Sequence, residues 1–475
     1  MAEELTPDIC VVGGGPGGIA AALAAVAEGV SVVLAEKGPP GGVNLAYGTI
    51  PSKSLIAAAD VYEALRAGPV LGVTGAPLQV NLGKVRDHIV AVSEAIAPRV
   101  SAERLTALGV KVIAAAAAFT ERRTVVAGDH IIRARRVILA VGSVPANPDI
   151  PGLDTVEYMT FESGFDLARK PAHLLVLGAG RHALELAQAY NRLGIDATVI
   201  DEGPALPDDD PELATIVVDR LRAEGVRVRA GVRIISVMRR RGGIRLTIDD
   251  PAGGHTAVDG SHLLVATGRS PNVEGLGLAA AGIVHDKHGI GVDRHLRTSN
   301  RRVYAIGDAV AGPALAVRAE VQAACVVKSI VYRLPLPDDP SAVPSVTFTD
   351  PALASVGLAE HEARLHYKDV LTLRFPFVDN DRAQAERLPA GMIKVVATKA
   401  GRILGAAIVG HDAGELIALW SLAIANRLPL SAMSSLIAPY PTRSEIARRV
   451  AASAPDAGLT PRWRRRIIEM LRKLG

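Results

Sequence analysis

Asp8-Ile9-Cys10-Val11-Val12-Gly13-Gly14-Gly15-Pro16-Gly17-Gly18 is the stretch that decides the fold. Asp8 to Val12 has a short strand pattern, the glycine-rich run follows without a gap, and an alanine-rich helical pattern extends from Ile19 to Glu28. A second strand pattern, Ser31 to Ala35, ends at Glu36. Strand, glycine turn, helix, strand and acid in this order make a dinucleotide-binding unit. Gly13 allows the tight turn, Gly15 lets the backbone approach a pyrophosphate, and Gly18 lets the helix pack on the strand, with Pro16 inside the same fingerprint. The helix N-terminus offers amide N–H groups and a partial positive charge to phosphates. Glu36 is placed to accept hydrogen bonds from a ribose diol.

The unit occurs twice. Leu174 to Leu177 is a strand pattern followed by Gly178-Ala179-Gly180-Arg181-His182-Ala183, a helix, and the strand Ala197 to Ile200 ending at Asp201. The distance from glycine to acid is 23 positions in each copy, Gly13 to Glu36 and Gly178 to Asp201. Two units imply two dinucleotides. Asp201 favours NADH, because a carboxylate binds a free 2′-hydroxyl and repels a 2′-phosphate. Glu202 adds to that repulsion, while Ala183 at the third glycine position leans slightly towards NADPH.

At 475 residues the chain is too long for one hydrophobic core, so about three domains are expected. A hydrophobic content of 49% with 21% charged residues fits a well-packed globular protein. Aromatics make up only 3%, which argues against a stacking surface for single-stranded nucleic acid. Two cysteines, Cys10 and Cys325, argue against a disulfide-stabilised secreted fold and make a reducing cytoplasm the default. Met1 to Asp8 lacks a signal-peptide layout, and no uncharged apolar run reaches the ~18 residues a spanning helix needs. The net charge of +4 hides a contrast: Arg462 to Lys473 holds six basic residues and one acid, +5, which leaves about −1 for the rest. The body therefore has no basic stripe for nucleic acid.

Gly41-Gly42-Val43-Asn44-Leu45-Ala46-Tyr47-Gly48-Thr49-Ile50-Pro51-Ser52-Lys53 resembles the redox-active segment of the pyridine nucleotide-disulfide oxidoreductases, the family of lipoamide dehydrogenase, glutathione reductase and mercuric reductase. The family writes GGxCxNxGCIPSK; Asn44 and Thr49 stand where its two cysteines form a disulfide against the flavin. Further motifs agree in order. Ala305-Ile306-Gly307-Asp308 resembles the second FAD fingerprint, with Asp308 towards the ribityl chain. Ile138 to Ser143, containing Gly142, and Val265 to Asn272, containing Gly268, resemble the strands that close the nucleotide domains. Gly312 to Ala316 resembles the lipoamide dehydrogenase branch, and Thr349-Asp350-Pro351 through Gly357 resembles the start of the dimerisation domain.

The resemblance implies an α/β glutathione-reductase-type fold, with two Rossmann-like dinucleotide-binding domains and an α+β C-terminal dimerisation domain. The expected boundaries are 1–150 and 271–340 for the FAD-binding and central parts, 151–270 for the NAD(P)H domain, 341–454 for dimerisation, and 455–475 for a basic amphipathic helix. It implies FAD on the first unit, where Gly42, Gly142 and Gly307 join its contacts, NAD(P)H on the second, Gly268 as a further cofactor-binding position, and a homodimer. Lys53 matches the lysine near flavin N5 and Glu185 the glutamate that pairs with it beside the nicotinamide. Tyr440-Pro441-Thr442-Arg443-Ser444-Glu445 matches the family's His-Pro-Thr-x-Ser-Glu, supplied by the partner subunit, with tyrosine in place of the proton-shuttling histidine.

Disulfide exchange needs a thiolate and a second sulfur, and an amide with a hydroxyl supplies neither. A tyrosine with an ordinary pKa of ~10 is a poor base at neutral pH, but it can donate a hydrogen bond. No metal site is expected; in particular, no cysteine pair near the C-terminus is available for a soft metal. These residues lead to an expectation of an NAD(P)H oxidoreductase that passes electrons from flavin to a non-disulfide acceptor: a quinone, a dye, oxygen or another pyridine nucleotide. Asn44, Thr49 and Tyr440 would line its acceptor pocket. Two alternatives stay open: a catalytically quiet FAD-binding partner or sensor, and a protein that is lipoamide dehydrogenase-like by motif without disulfide reductase activity. Thr49 to Lys53 also resembles the soluble transhydrogenases.

In the tail, Pro455 to Gly458 reads as a linker and Thr460-Pro461 as a helix start. Trp463, Ile467, Met470, Leu471 and Leu474 share one helical face and basic residues fill the other. Segment 460–474 is either a helix packed across the dimer or an interfacial helix on anionic lipid, a peripheral membrane contact.

Overall fold

The computed structural model describes residues 3–75, 78–167, 169–251, 254–454 and 462–474. Among these, the chain divides into two compact units, 1–203 with 229–338, and 204–228 with 339–475. Segment 204–228, assigned by sequence to the 151–270 domain, groups with the C-terminal unit.

The first unit holds both nucleotide sheets. In one, Val303–Ala305, Arg136–Leu139, Ile9–Val12, Val32–Glu36 and Lys111–Ala114 lie side by side, all parallel. In the other, Met159–Thr160, His262–Val265, His173–Leu177 and Asp196–Asp201 run parallel in that order. A parallel sheet covered on both faces reads as an unbroken apolar run, because alternate side chains enter different cores. Ile9 and Val11 feed one cluster with Leu34 and Ile138, whereas Cys10 and Val12 feed another with Val33 and Leu139. The helices Pro16–Ala27 and Arg181–Arg192 each follow the first strand of their own copy. Both Rossmann-like units anticipated from the sequence are therefore present.

The second unit is built on an antiparallel sheet ordered Ser345–Thr347, Ala352–Gly357, Ile403–Gly410, Met392–Thr398, Val370–Pro376. Its core gathers around the fully buried Trp420 of the helix Ala413–Ala425, with Ile446 and Val450 of Glu445–Ala452. One buried cation also fixes the helix Pro211–Ala223 here. Lys394, 6% exposed, lies 2.8 Å from Asp210, 2.9 Å from Glu212 and 2.9 Å from Glu360. Arg374 adds two 2.8 Å hydrogen bonds to Glu212.

Arg374 and Lys394 hold the Glu212 carboxyl at about 2. Burial alone would raise Glu360, but hydrogen bonds from Arg364 and Lys394 outweigh it and leave it at about 2. Since both folded values lie below the ordinary 4.5, the stability the two groups contribute is complete above that pH and is lost as pH falls towards 2. Lys394→Met removes the buried cation shared by three carboxylates and leaves Arg374 on Glu212 and Arg364 on Glu360. It is expected to cost about 3–5 kcal/mol at pH 7. Denaturant melts at pH 7 and pH 3 check this, with the difference from the parent shrinking at the lower pH.

Candidate functional site

The two glycine turns have the same geometry. Gly13 and Gly178 sit at φ +104° and +103°, and a Cβ on either would come within 2.4 Å of a carbonyl oxygen, that of Ala140 or of Ala266. Only glycine fits there. Gly15 and Gly180 differ: a Cβ on either meets nothing within 4 Å. No contact within the protein demands glycine at these places, so the open space ahead of each turn is what distinguishes them. Neither helix start is capped by a side chain, which leaves first-turn N–H groups available to an anion. The residues present fit a pyrophosphate in both copies.

The two acids are also matched. Glu36 accepts hydrogen bonds from the Gly14 amide at 2.5 Å and the Gly38 amide at 2.8 Å. Asp201 accepts from Ala179 at 2.5 Å and Gly203 at 2.7 Å. Each carboxylate is thus fixed over its own glycine turn. Glu202 instead accepts from the Ile234 amide at 3.0 Å. Of the two acids expected to reject a 2′-phosphate, only Asp201 is bonded to the glycine turn.

Asp308, in the 3-10 turn Gly307–Ala309, joins a polar cluster that the motifs did not reveal. Ser143 donates to its carboxylate at 2.6 Å, and Arg269 donates to Ser143 Oγ at 2.6 Å and to the Ser143 carbonyl at 2.5 Å. The short strands Ser143–Pro145 and Arg269–Pro271 pair antiparallel and hold this arrangement beside Gly142 and Gly268. The Gly307 amide donates to the buried Gln322 at 2.8 Å.

Lys53 and Glu185 meet as expected. Lys53 Nζ lies 2.7 Å from Glu185 Oε2, with side-chain exposures of 27% and 1%. The helices Thr49–Ala67 and Arg181–Arg192 carry a second pair of reversed polarity seven residues along each, Asp60 with Arg192 at 2.7 Å. That pair had no sequence signal. His182, one turn before Glu185, was likewise unassigned. Its ring stacks on Phe161 with centroids 6.0 Å apart, and Arg269 lies 4.4 Å over the same Phe161 ring. The imidazole is open to solvent by surface area yet recessed among protein atoms. The recess governs its titration: burial pushes it below its ordinary value, and Lys53, Arg181 and Arg269 act in the same direction against Glu185.

Asn44 and Thr49 are in contact: Thr49 Oγ1 donates to Asn44 Oδ1 at 3.3 Å, in an exposed position. A hydrogen bond thus spans the places of the family disulfide. Cys10 and Cys325 are both free. Burial pushes the Cys10 thiol up to about 12 and also raises Cys325, so neither offers a thiolate.

The second unit carries Tyr440 and Glu445, and they do not form a dyad. Tyr440, 72% exposed, donates to Asp381 at 2.9 Å, and that hydrogen bond raises its pKa. Glu445 pairs with Arg449 at 3.1 Å and Arg448 at 2.8 Å, which lower its pKa. Among the described residues no helix is long and apolar enough to cross a membrane.

A parallel-sheet architecture with two dinucleotide-binding units and an antiparallel C-terminal unit defines a two-nucleotide oxidoreductase fold. The family model for pyridine nucleotide-disulphide oxidoreductases matches residues 7–323, and that for the family's dimerisation domain matches 343–451. The chain belongs to this family of flavoproteins, which use FAD and NAD(P)H. It is 34% identical to the dihydrolipoyl dehydrogenase of Geobacillus stearothermophilus over 453 residues, 94% of this chain and 95% of that protein. It is 32% identical to a mercuric reductase of Streptomyces lividans, covering 92% and 94%. The crystal structure of LpdA from Mycobacterium tuberculosis has a TM-score of 0.85 at 27% identity, covering 94% of this chain and 99% of that one.

Proposed function

We propose that the chain is a homodimeric NAD(P)H oxidoreductase, NADH favoured, that delivers electrons from FAD directly to a small non-disulfide acceptor. The observation that carries this is the Asn44–Thr49 hydrogen bond beside an intact Lys53–Glu185 pair: the disulfide is replaced while the nicotinamide-side charges remain. When bound, FAD and NAD(P)H supply the two-electron chemistry. Gly13, Gly15, Pro16, Gly18 and Glu36 hold the first dinucleotide, with Gly42, Gly142, Gly268, Gly307 and Asp308 completing its contacts. Gly178, Gly180, Ala183 and Asp201 hold the second. Lys53 contributes a fixed positive charge. Glu185 keeps that lysine oriented, and Asn44 and Thr49 offer hydrogen bonds to the acceptor.

The test is anaerobic mixing of the FAD-loaded protein with NADH, followed by a quinone or by lipoamide. Rapid flavin bleaching, reversed by quinone and not by lipoamide, supports the reading. A flavin that stays oxidised sinks it and favours a binding or sensor protein.

Tyr440 enters this reading as a hydrogen-bond donor to the acceptor, and the structure sets a condition on it. Its hydroxyl already donates a hydrogen bond to Asp381, so it must be redirected to meet an acceptor. Tyr440→Phe is expected to lower acceptor-side turnover by about fivefold to tenfold, the equivalent of one hydrogen bond, with bleaching by NADH unchanged. Equal losses in both half-reactions would remove Tyr440 from the acceptor site.

A further inference from the structure

The helix Arg462–Leu471 has a face with no covering partner among the described residues. Ile467, Ile468, Met470, Leu471 and Leu474 are 42%, 48%, 58%, 57% and 76% exposed. At about 100° per residue, positions 467, 470, 471 and 474 fall within one arc of about 100°. Arg472 and Lys473 lie outside this arc and Arg466 flanks it, all three exposed. Five large apolar side chains left in water within eight residues are costly for a helix this short, and isolated helices of this length are marginal. The face is therefore built to be covered.

Charge separates the candidate occupants. The helix region carries +5 against about −1 for the remaining chain. Pairing with its own copy across a two-fold axis would bring two such clusters together, and like charges repel. Nucleic acid would neutralise the cations but leave the apolar arc wet. An anionic bilayer surface satisfies both halves: headgroups take the arginines and lysine, and the acyl boundary takes the isoleucines, leucines and methionine.

We propose that this helix docks the protein peripherally on anionic lipid, lying in the interface without crossing it. The claim is independent of which acceptor the flavin serves.

The experiment is flotation of the full-length, FAD-loaded protein with vesicles of pure phosphatidylcholine or of phosphatidylcholine containing one third phosphatidylglycerol. Partition is expected to be at least about tenfold higher on the phosphatidylglycerol vesicles and to fall in high salt. Reversing three cations in Arg466→Glu/Arg472→Glu/Lys473→Glu is expected to weaken that binding roughly 100-fold. Ile467→Ser/Leu471→Ser is expected to weaken it at least about tenfold. Flavin content and melting temperature should be unchanged in both variants. Equal, weak partition on the two vesicle types overturns the proposal. So does a serine variant that dissociates the dimer while vesicle binding stays at parental strength, which would assign the helix to a protein interface.

Discussion

Lys53→Met is expected to slow flavin reduction by NADH by roughly 100- to 1,000-fold, the cost of removing one charge-stabilising group from an active site. The substitution keeps the length of the side chain and removes the charge 2.7 Å from a carboxylate that is 1% exposed. Glu185 then has no counter-ion in this pair, so a stability loss of about 3 kcal/mol accompanies the kinetic one. The double variant Lys53→Met/Glu185→Gln separates the two effects. Removing both charges removes the burial cost of the Glu185 carboxylate together with its lysine, and stability is expected to return to within about 1 kcal/mol of the parent. Flavin bleaching should remain slow. If the double variant recovers rate together with stability, the pair is only a brace between its two helices. Stopped-flow absorbance and denaturant melts read the two quantities independently.

The second ion pair makes that separation worth measuring. Asp60–Arg192 already ties the same two helices, with Arg192 almost wholly buried, so Lys53–Glu185 is not the sole polar link across their interface. Asp60→Asn serves as the control: it disturbs the brace seven residues away and should leave bleaching by NADH within about twofold of the parent. Two adjacent ion pairs often couple, so the comparison requires melts on every variant.

What the sequence revealed follows from how local each signal is. The glycine turns, their strands and their acids lie within 23 positions of one another, and backbone sterics at Gly13 and Gly178 admit few other residues. The structure reproduces both copies down to the paired carboxylate hydrogen bonds of Glu36 and Asp201. The segment Gly41 to Lys53 was legible by resemblance, yet its outcome, a direct Asn44–Thr49 contact, depends on how the short helix Gly42–Ala46 meets the long helix Thr49–Ala67 at Gly48. Contacts between distant parts of the chain were not legible. Ser143, Arg269 and Asp308 are separated by more than 120 positions from first to second, and no periodicity or local motif joins them. Tyr440 and Glu445 were legible only as matches to the family motif, and their separate partners, Asp381 and Arg449, carried no local signal. Thr460 and Pro461, read as the start of the tail helix, lie outside the described residues.

Asn44→Cys/Thr49→Cys is expected to close a disulfide and to introduce thiol chemistry that the parent lacks. The two side chains already touch across five positions, with oxygens 3.3 Å apart, so the backbone brings these positions together without large movement. Disulfides require that proximity. In denaturant without reductant, thiol titration should find two thiols, those of Cys10 and Cys325, rather than four. Dihydrolipoamide, which is expected not to reduce the parent's flavin, should then reduce the new disulfide and be oxidised to lipoamide, and the resulting dithiol should re-form its disulfide by passing the electron pair to the flavin. On the role proposed for Tyr440, the reaction is expected to be slow, because its hydroxyl donates a hydrogen bond to Asp381 that pushes its pKa still higher. Adding Tyr440→His restores a group that titrates near neutrality, and a positioned base of this kind contributes on the order of 100-fold. Its neighbours must allow it: Asp381 is available to orient a histidine, while Glu445 is engaged by Arg448 and Arg449. If four thiols remain free after air oxidation, the Asn44–Thr49 contact does not stand in disulfide geometry, and positions 44 and 49 are not the places of a replaced redox centre.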